Sequence, residues 1–137
     1  MIEYNFEKKF NLNNIEELTA WITKTIEAEG FREDILNYVF CDDEYLLKIN
    51  VKHLKHNTLT DIITFNYSVG KLIASDIFIS VDRVIENAEK FSVSFTEELH
   101  RVMIHGILHL CGYDDKGEKE KMLMRKKEDY YLSLLAV

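Results

Sequence analysis

The chain has no proline, two cysteines and five glycines in 137 residues, and each shortage narrows what it can be. Without proline there is no stiff spacer, and no serine-rich tract, repeat or low-complexity segment divides the sequence, so it reads as one domain over residues 1–137. Cys41 and Cys111 lie far apart in apolar settings and form no C-x-x-C pair. They read as small buried hydrophobes in a reducing compartment, not as a disulfide framework. No apolar run approaches the roughly 20 residues of a membrane-spanning helix. The opening "MIEYNFEKKF" has early acidic residues and no apolar centre, unlike a signal peptide. A cytoplasmic protein with no membrane partner is expected. Basic charge is short too: 17 Lys and Arg face 24 Asp and Glu, for a net charge of −7. That sign excludes a general nucleic-acid coat, so RNA or DNA would have to meet a local basic patch or a metal.

What is present is an ordinary globular composition, 47% hydrophobic and 30% charged. Alternation and β-formers predict strands at 2–6, 35–41, 61–67 and 71–80. Between the first two, "NLNNIEELTAWITKTIEAEG" predicts a helix capped by Asn13 or Asn14. Ile15, Leu18, Trp21 (or Ile22) and Ile26 form its inner stripe, and Gly30 ends it. A short helix is predicted over 42–54, and others at 81–91, 96–112 and 118–135. Thr96 with Glu97 and Glu98 supplies an imperfect capping box for the fourth of these, and Gly112 suits its C-terminal turn. The order predicts a mixed α/β fold: a small four-stranded sheet flanked by about five helices.

The chemistry concentrates in "HGILHLCGYDD" at 105–115. His105 and His109 are one helical turn apart, so their rings share a face, with Cβ atoms about 6 Å apart, and can reach one ion. Gly112 turns the chain, and Asp115 follows six residues after His109. Two histidines and a carboxylate make a recognised catalytic zinc set that leaves a fourth position to water. Asp114 competes for the third place, or faces solvent, or holds a histidine N–H. His100 lies roughly 140° and 180° around the helix from His105 and His109, which reads as a partly exposed surface histidine pointing away from the metal face. His53 and His56, beside Lys52 and Lys55, read either as a solvated loop or as phosphate contacts near the metal. The pair looks like the zinc-protease motif H-E-x-x-H, but Gly106 stands where that motif has its glutamate base. A metal-held water still ionises near neutral pH without a protein base, which suits a substrate that brings its own negative charge, such as a phosphodiester.

At these residues the chain resembles the YbeY family of bacterial metal-dependent endoribonucleases, whose signature is H-G-x-L-H-L-x-G-Y-D-H. Every fixed position agrees except the last, where Asp115 replaces histidine. "TDIITF" at 60–65 and "SDIFIS" at 75–80 resemble the family's T-D-V-L-S-F and G-D-I-x-I-S strands, with Ser75 for the glycine. The resemblance covers nearly the whole chain and implies a zincin-like placement of the metal helix. It also implies metal ligands at His105, His109 and Asp115, one Zn2+ ion, and single-strand-specific cleavage in 16S ribosomal RNA maturation and ribosome quality control. The implied partners are ribosomal RNA and the ribosome's 30S subunit, with no DNA. A carboxylate at 115 lowers the charge of the site and admits harder ions such as Mn2+. The family arginine that engages RNA phosphate falls on Leu54; Lys52, Lys55 and His56 are the candidate replacements, although a lysine lacks the bidentate fork. Two other readings compete with the nuclease. One is a non-catalytic ribosome assembly factor with a structural metal; the other, a peptidase, is disfavoured by Gly106.

Overall fold

Hydrophobic alternation builds the sheet. In the computed structural model, which describes residues 1–54 and 60–135, four strands form one sheet in the order β1-β2-β4-β3. β1 (Ile2–Phe6), β2 (Arg32–Cys41) and β4 (Leu72–Ser80) run parallel, while β3 (Ile62–Asn66) pairs antiparallel with β4. Parallel neighbours need long crossovers. α1 (Ile15–Ala28) supplies the one between β1 and β2, and α2 (Asp43–Leu54) lies in the one between β2 and β4. α3 (Val81–Phe91), α4 (Phe95–Leu110) and α5 (Glu118–Leu134) complete the described elements. The mixed fold, with four strands and five helices among the described residues, is the one the pattern predicts. β2 starts three residues before its apolar run, because Arg32 and Glu33 pair with Leu72 and Ile73. Backbone hydrogen bonds, not apolar side chains, set that end.

The strand period of two sorts the side chains between the sheet's two faces. Leu36, Tyr38, Phe40, Ile73, Ile77 and Ile79 are fully buried on one face, against α1, α3, α4 and α5. The opposite face carries a smaller cluster of Cys41, Leu46 and Ile63 under α2. Each fully buried aliphatic side chain contributes about 1.5–3 kcal/mol, so the larger cluster dominates folding. Cys41 is fully buried, Cys111 is half-buried, and neither forms a disulfide. Burial pushes both thiols up to about 12, so they behave as the small hydrophobes expected.

Three sequence expectations are corrected. Ile15, assigned to the inner stripe of α1, is 40% exposed as the first helical residue; Thr25 completes the buried stripe instead. α4 is capped by Ser94 and not Thr96: Ser94 Oγ accepts the Glu97 backbone N–H at 3.0 Å, which starts the helix one residue earlier. His100 does point away from the metal face, but it is buried at 8% exposure beside the Trp21 ring. Burial lowers its pKa, so it is a neutral core histidine.

α4 is the element that carries the site, and it lies close against the sheet. A Cβ at Gly106 would stand 2.9 Å from Ile62 Cδ1, 3.5 Å from Thr64 Cγ2 and 3.6 Å from Ile77 Cγ2. Gly106 therefore faces β3 and β4, and a glutamate there would be driven into the sheet. The buried Tyr38 hydroxyl donates to the Met103 carbonyl at 3.0 Å, tying the same helix to β2. These contacts fix the height of α4 above the sheet, and His105 projects from the residue next to Gly106.

Candidate metal centre

Helical spacing brings the two histidines together, and the turn after α4 supplies the third group. Gly112 takes φ +101, a left-handed value natural to glycine. Its N–H donates to the His109 carbonyl and the Tyr113 N–H to the Leu108 carbonyl, each at 3.0 Å, closing a Schellman motif. The reversed chain then returns Asp115 to the helix. Asp115 Oδ2 lies 3.4 Å from both His105 Nε2 and His109 Nε2, and one ligand atom from each residue falls within 4.8 Å of the others. Asp114 is exposed and accepts the Asp115 N–H at 2.7 Å, so among the described residues the convergent group is His105, His109 and Asp115.

The fit to a metal follows from hydrogen bonding. The Nδ1 of His109 lies 2.9 Å from the Tyr113 carbonyl, which can only accept, so Nδ1 carries the proton and Nε2 a lone pair. His105 Nδ1–H donates to Glu128 Oε2 at 2.6 Å, which frees its Nε2 in the same way. In the neutral rings two imidazole lone pairs and a carboxylate thus point at one another, an arrangement that a cation between them stabilises. Ligands about 2.1 Å from a tetrahedral centre are about 3.4 Å apart, the spacing found between Asp115 and each imidazole. The residues present therefore suit a divalent ion.

Supporting groups surround these three. Glu128, 5% exposed on α5, also accepts from Arg101 at 2.9 Å, and Arg101 reaches Asp129 at 2.7 Å. Burial alone would lower the His105 pKa, but the hydrogen bond to Glu128 and the charges of Glu128, Asp115 and Asp61 outweigh it and raise the pKa. Asp61, just before β3, has its carboxyl pushed up by burial and pulled back by the His105 charge. Burial likewise raises Glu98, with Asp61 adding to the effect and Arg101 and Arg125 opposing it. On the far side, Tyr113 donates to Glu29 at 2.7 Å, Tyr131 donates to the same carboxylate, and Lys127 lies 3.5 Å from it.

Residue-type and spacing arguments single out His105, His109 and Asp115, and these come together. Lys52 is exposed on the last turn of α2, while Lys55 and His56 lie outside the described residues. His53, read as a loop residue, belongs to the last turn of α2 and meets the Phe65 ring edge-on. Glu128, Arg101 and Glu29 escape a motif search. The signal that reveals Glu128 is a charge on the buried stripe Met124, Glu128, Tyr131 of an otherwise polar helix. His105, Asp115, Lys121, Met124, Arg125 and Glu128 line one open cleft of about 300 Å3.

A family model described as endoribonuclease YbeY matches residues 2–136. A Flavobacterium johnsoniae protein named endoribonuclease YbeY is 53% identical over 137 residues, covering 100% of this chain and 99% of that protein. A protein of the same name from Karelsulcia muelleri is 48% identical, covering 98% and 96%. The solution structure of a Thermotoga maritima protein superposes with a TM-score of 0.70 at 26% identity, covering 98% of this chain and 89% of the other.

Proposed function

We propose that this chain, which belongs to the endoribonuclease YbeY family, is a metal-dependent endoribonuclease that cuts single-stranded RNA. Its substrate on this reading is ribosomal RNA, with a role in 16S maturation and ribosome quality control on the 30S subunit in the cytoplasm. The observation that carries the proposal is the convergence of His105, His109 and Asp115, the first and last of which line an open cleft, beside Gly106, which holds no base.

A divalent ion held by these three residues supplies Lewis acidity toward a phosphate ester and a source of hydroxide at neutral pH. Zn2+ suits the two imidazoles, and the carboxylate of Asp115 also accepts Mn2+. The chain's own contribution is positional. Glu128 and the Tyr113 carbonyl hold both rings in the tautomer that presents Nε2, and Arg101 orients Glu128 by donating to its other oxygen. Gly106 lets α4 lie against β3 and offers no side-chain base at that position. The side chains of His105, His109 and Asp115 are 21%, 29% and 41% exposed, which favours a working site over a closed structural one.

The test is cleavage of a single-stranded and a duplex oligoribonucleotide by metal-loaded protein, beside His109→Ala and a chelated control. Cleavage confined to the single strand and lost in both controls is expected. Equal cleavage by His109→Ala would overturn the reading. Trimming of precursor 16S RNA in 30S particles by the wild type, and not by the variant, tests the ribosomal assignment.

A further inference from the structure

Phosphate recognition is the function for which the sequence offers no bidentate residue at the expected place, since Leu54 stands where the resemblance puts the family's arginine. The cleft suggests where recognition resides. α5 presents Lys121, Met124, Arg125 and Glu128 at i, i+3, i+4 and i+7, a single helical stripe. Met124 and Glu128 are buried within it, while Lys121 and Arg125 stand exposed on the margin and line the same cleft as His105 and Asp115. Neither cation takes part in an ion pair among the described residues, whereas Lys8, Arg83, Arg101 and Lys127 all do. Arg125 feels Glu98 only through its field, so its guanidinium fork remains free to take two phosphate oxygens. Lys52, though exposed, does not line this cleft.

We infer that Lys121 and Arg125 bind the phosphodiester backbone of single-stranded RNA beside the metal ligands. This inference rests on the proposed endoribonuclease reading and locates a phosphate contact of that site on α5. Arg125 clamps one phosphate in a bidentate fashion, and Lys121, one turn toward the N-terminus of α5, meets the neighbouring backbone as a point charge.

The test uses the metal-loaded full chain and a fluorescein-labelled, unstructured oligoribonucleotide, with cleavage kinetics and binding anisotropy measured over a salt series. The Lys121→Gln/Arg125→Gln variant is expected to raise KM and Kd about tenfold or more. Its log-log salt slope should flatten by about 1.4, at about 0.7 per lost phosphate contact. kcat should stay within about threefold, and the Co2+ titration of the site, followed by its visible absorption, should not move. Arg125→Lys should fall between the two, because charge survives and the fork does not. Lys126→Gln, an exposed cation of the same helix outside the cleft, should match wild type. Unchanged KM and salt slope in the double variant overturn the inference while leaving the nuclease reading intact, and so does a loss fully explained by weaker Co2+ binding. If wild type binds RNA without cutting it, the nuclease reading fails and the pair is judged on Kd alone. If wild type does neither, both fall.

Discussion

His105 and His109 sit one turn apart on α4, yet they are held by different means. His109 donates to the carbonyl of Tyr113, four residues on, in the turn that ends its own helix. His105 donates to the carboxylate of Glu128, 23 residues on and in another helix. A backbone carbonyl is neutral and comes with the Schellman turn, so that support needs no second charge. A buried carboxylate must be paid for in desolvation, and Arg101 offsets the cost by pairing with it. One half of the site is thus built locally and cheaply, and the other depends on the docking of α5. The two halves should fail differently.

The largest difference is expected from Glu128→Ala. Removing it leaves Arg101 without its buried partner and His105 without an acceptor, which should cost about 3 kcal/mol of stability and about 10–100-fold in metal affinity. Urea unfolding and a Co2+ titration measure both. Glu128→Gln, which retains an acceptor oxygen, should recover part of each. An alanine variant that keeps wild-type metal affinity would show that α5 is dispensable for His105.

A smaller effect is expected on the other half. Tyr113→Phe removes the hydroxyl bond to Glu29 but keeps the carbonyl that holds His109. It should cost about 1 kcal/mol of stability and leave the Co2+ affinity within a few-fold of wild type. Loss as large as in Glu128→Ala would mean that the Glu29 contact, and not the turn, orients His109.

The smallest effect is a pH trend. The folded pKa of His105 is raised above its ordinary 6.5, so in chelated protein its protonated form stabilises the fold fully below that value. The contribution is lost as pH rises through the folded pKa. Metal binding requires the neutral ring and has the opposite trend. The rise in Tm on adding metal should therefore grow with pH across this window. A flat or shrinking increment, measured by thermal melts with and without chelator, would remove His105 from the ligand set.

Much of the fold follows from periodicity. The β-formers of "KLIASDIFIS" and the apolar run before Cys41 mark strands that a sheet must largely bury, so the order of elements is legible from these stretches. The errors lie where burial depends on a neighbour that spacing does not reveal. Spacing puts His100 on the side of α4 away from the metal face, but Trp21 from α1 covers it, and only packing brings that ring there. Thr96 and Ser94 are equally good caps by type, and backbone geometry chose the earlier one.

The same division runs through the site. The sequence by itself determined that His105 and His109 share a face, that Gly112 reverses the chain and that Asp115 follows within reach, because helical pitch and a left-handed glycine are properties of a few consecutive residues. Only the tertiary structure brought Glu128, Arg101 and the cleft cations Lys121 and Arg125 to that face. Desolvation and charge pairing act through space, between residues that the chain order keeps apart. Tyr113 and Glu29, 84 positions apart and 2.7 Å from hydroxyl to carboxylate, are the plainest instance.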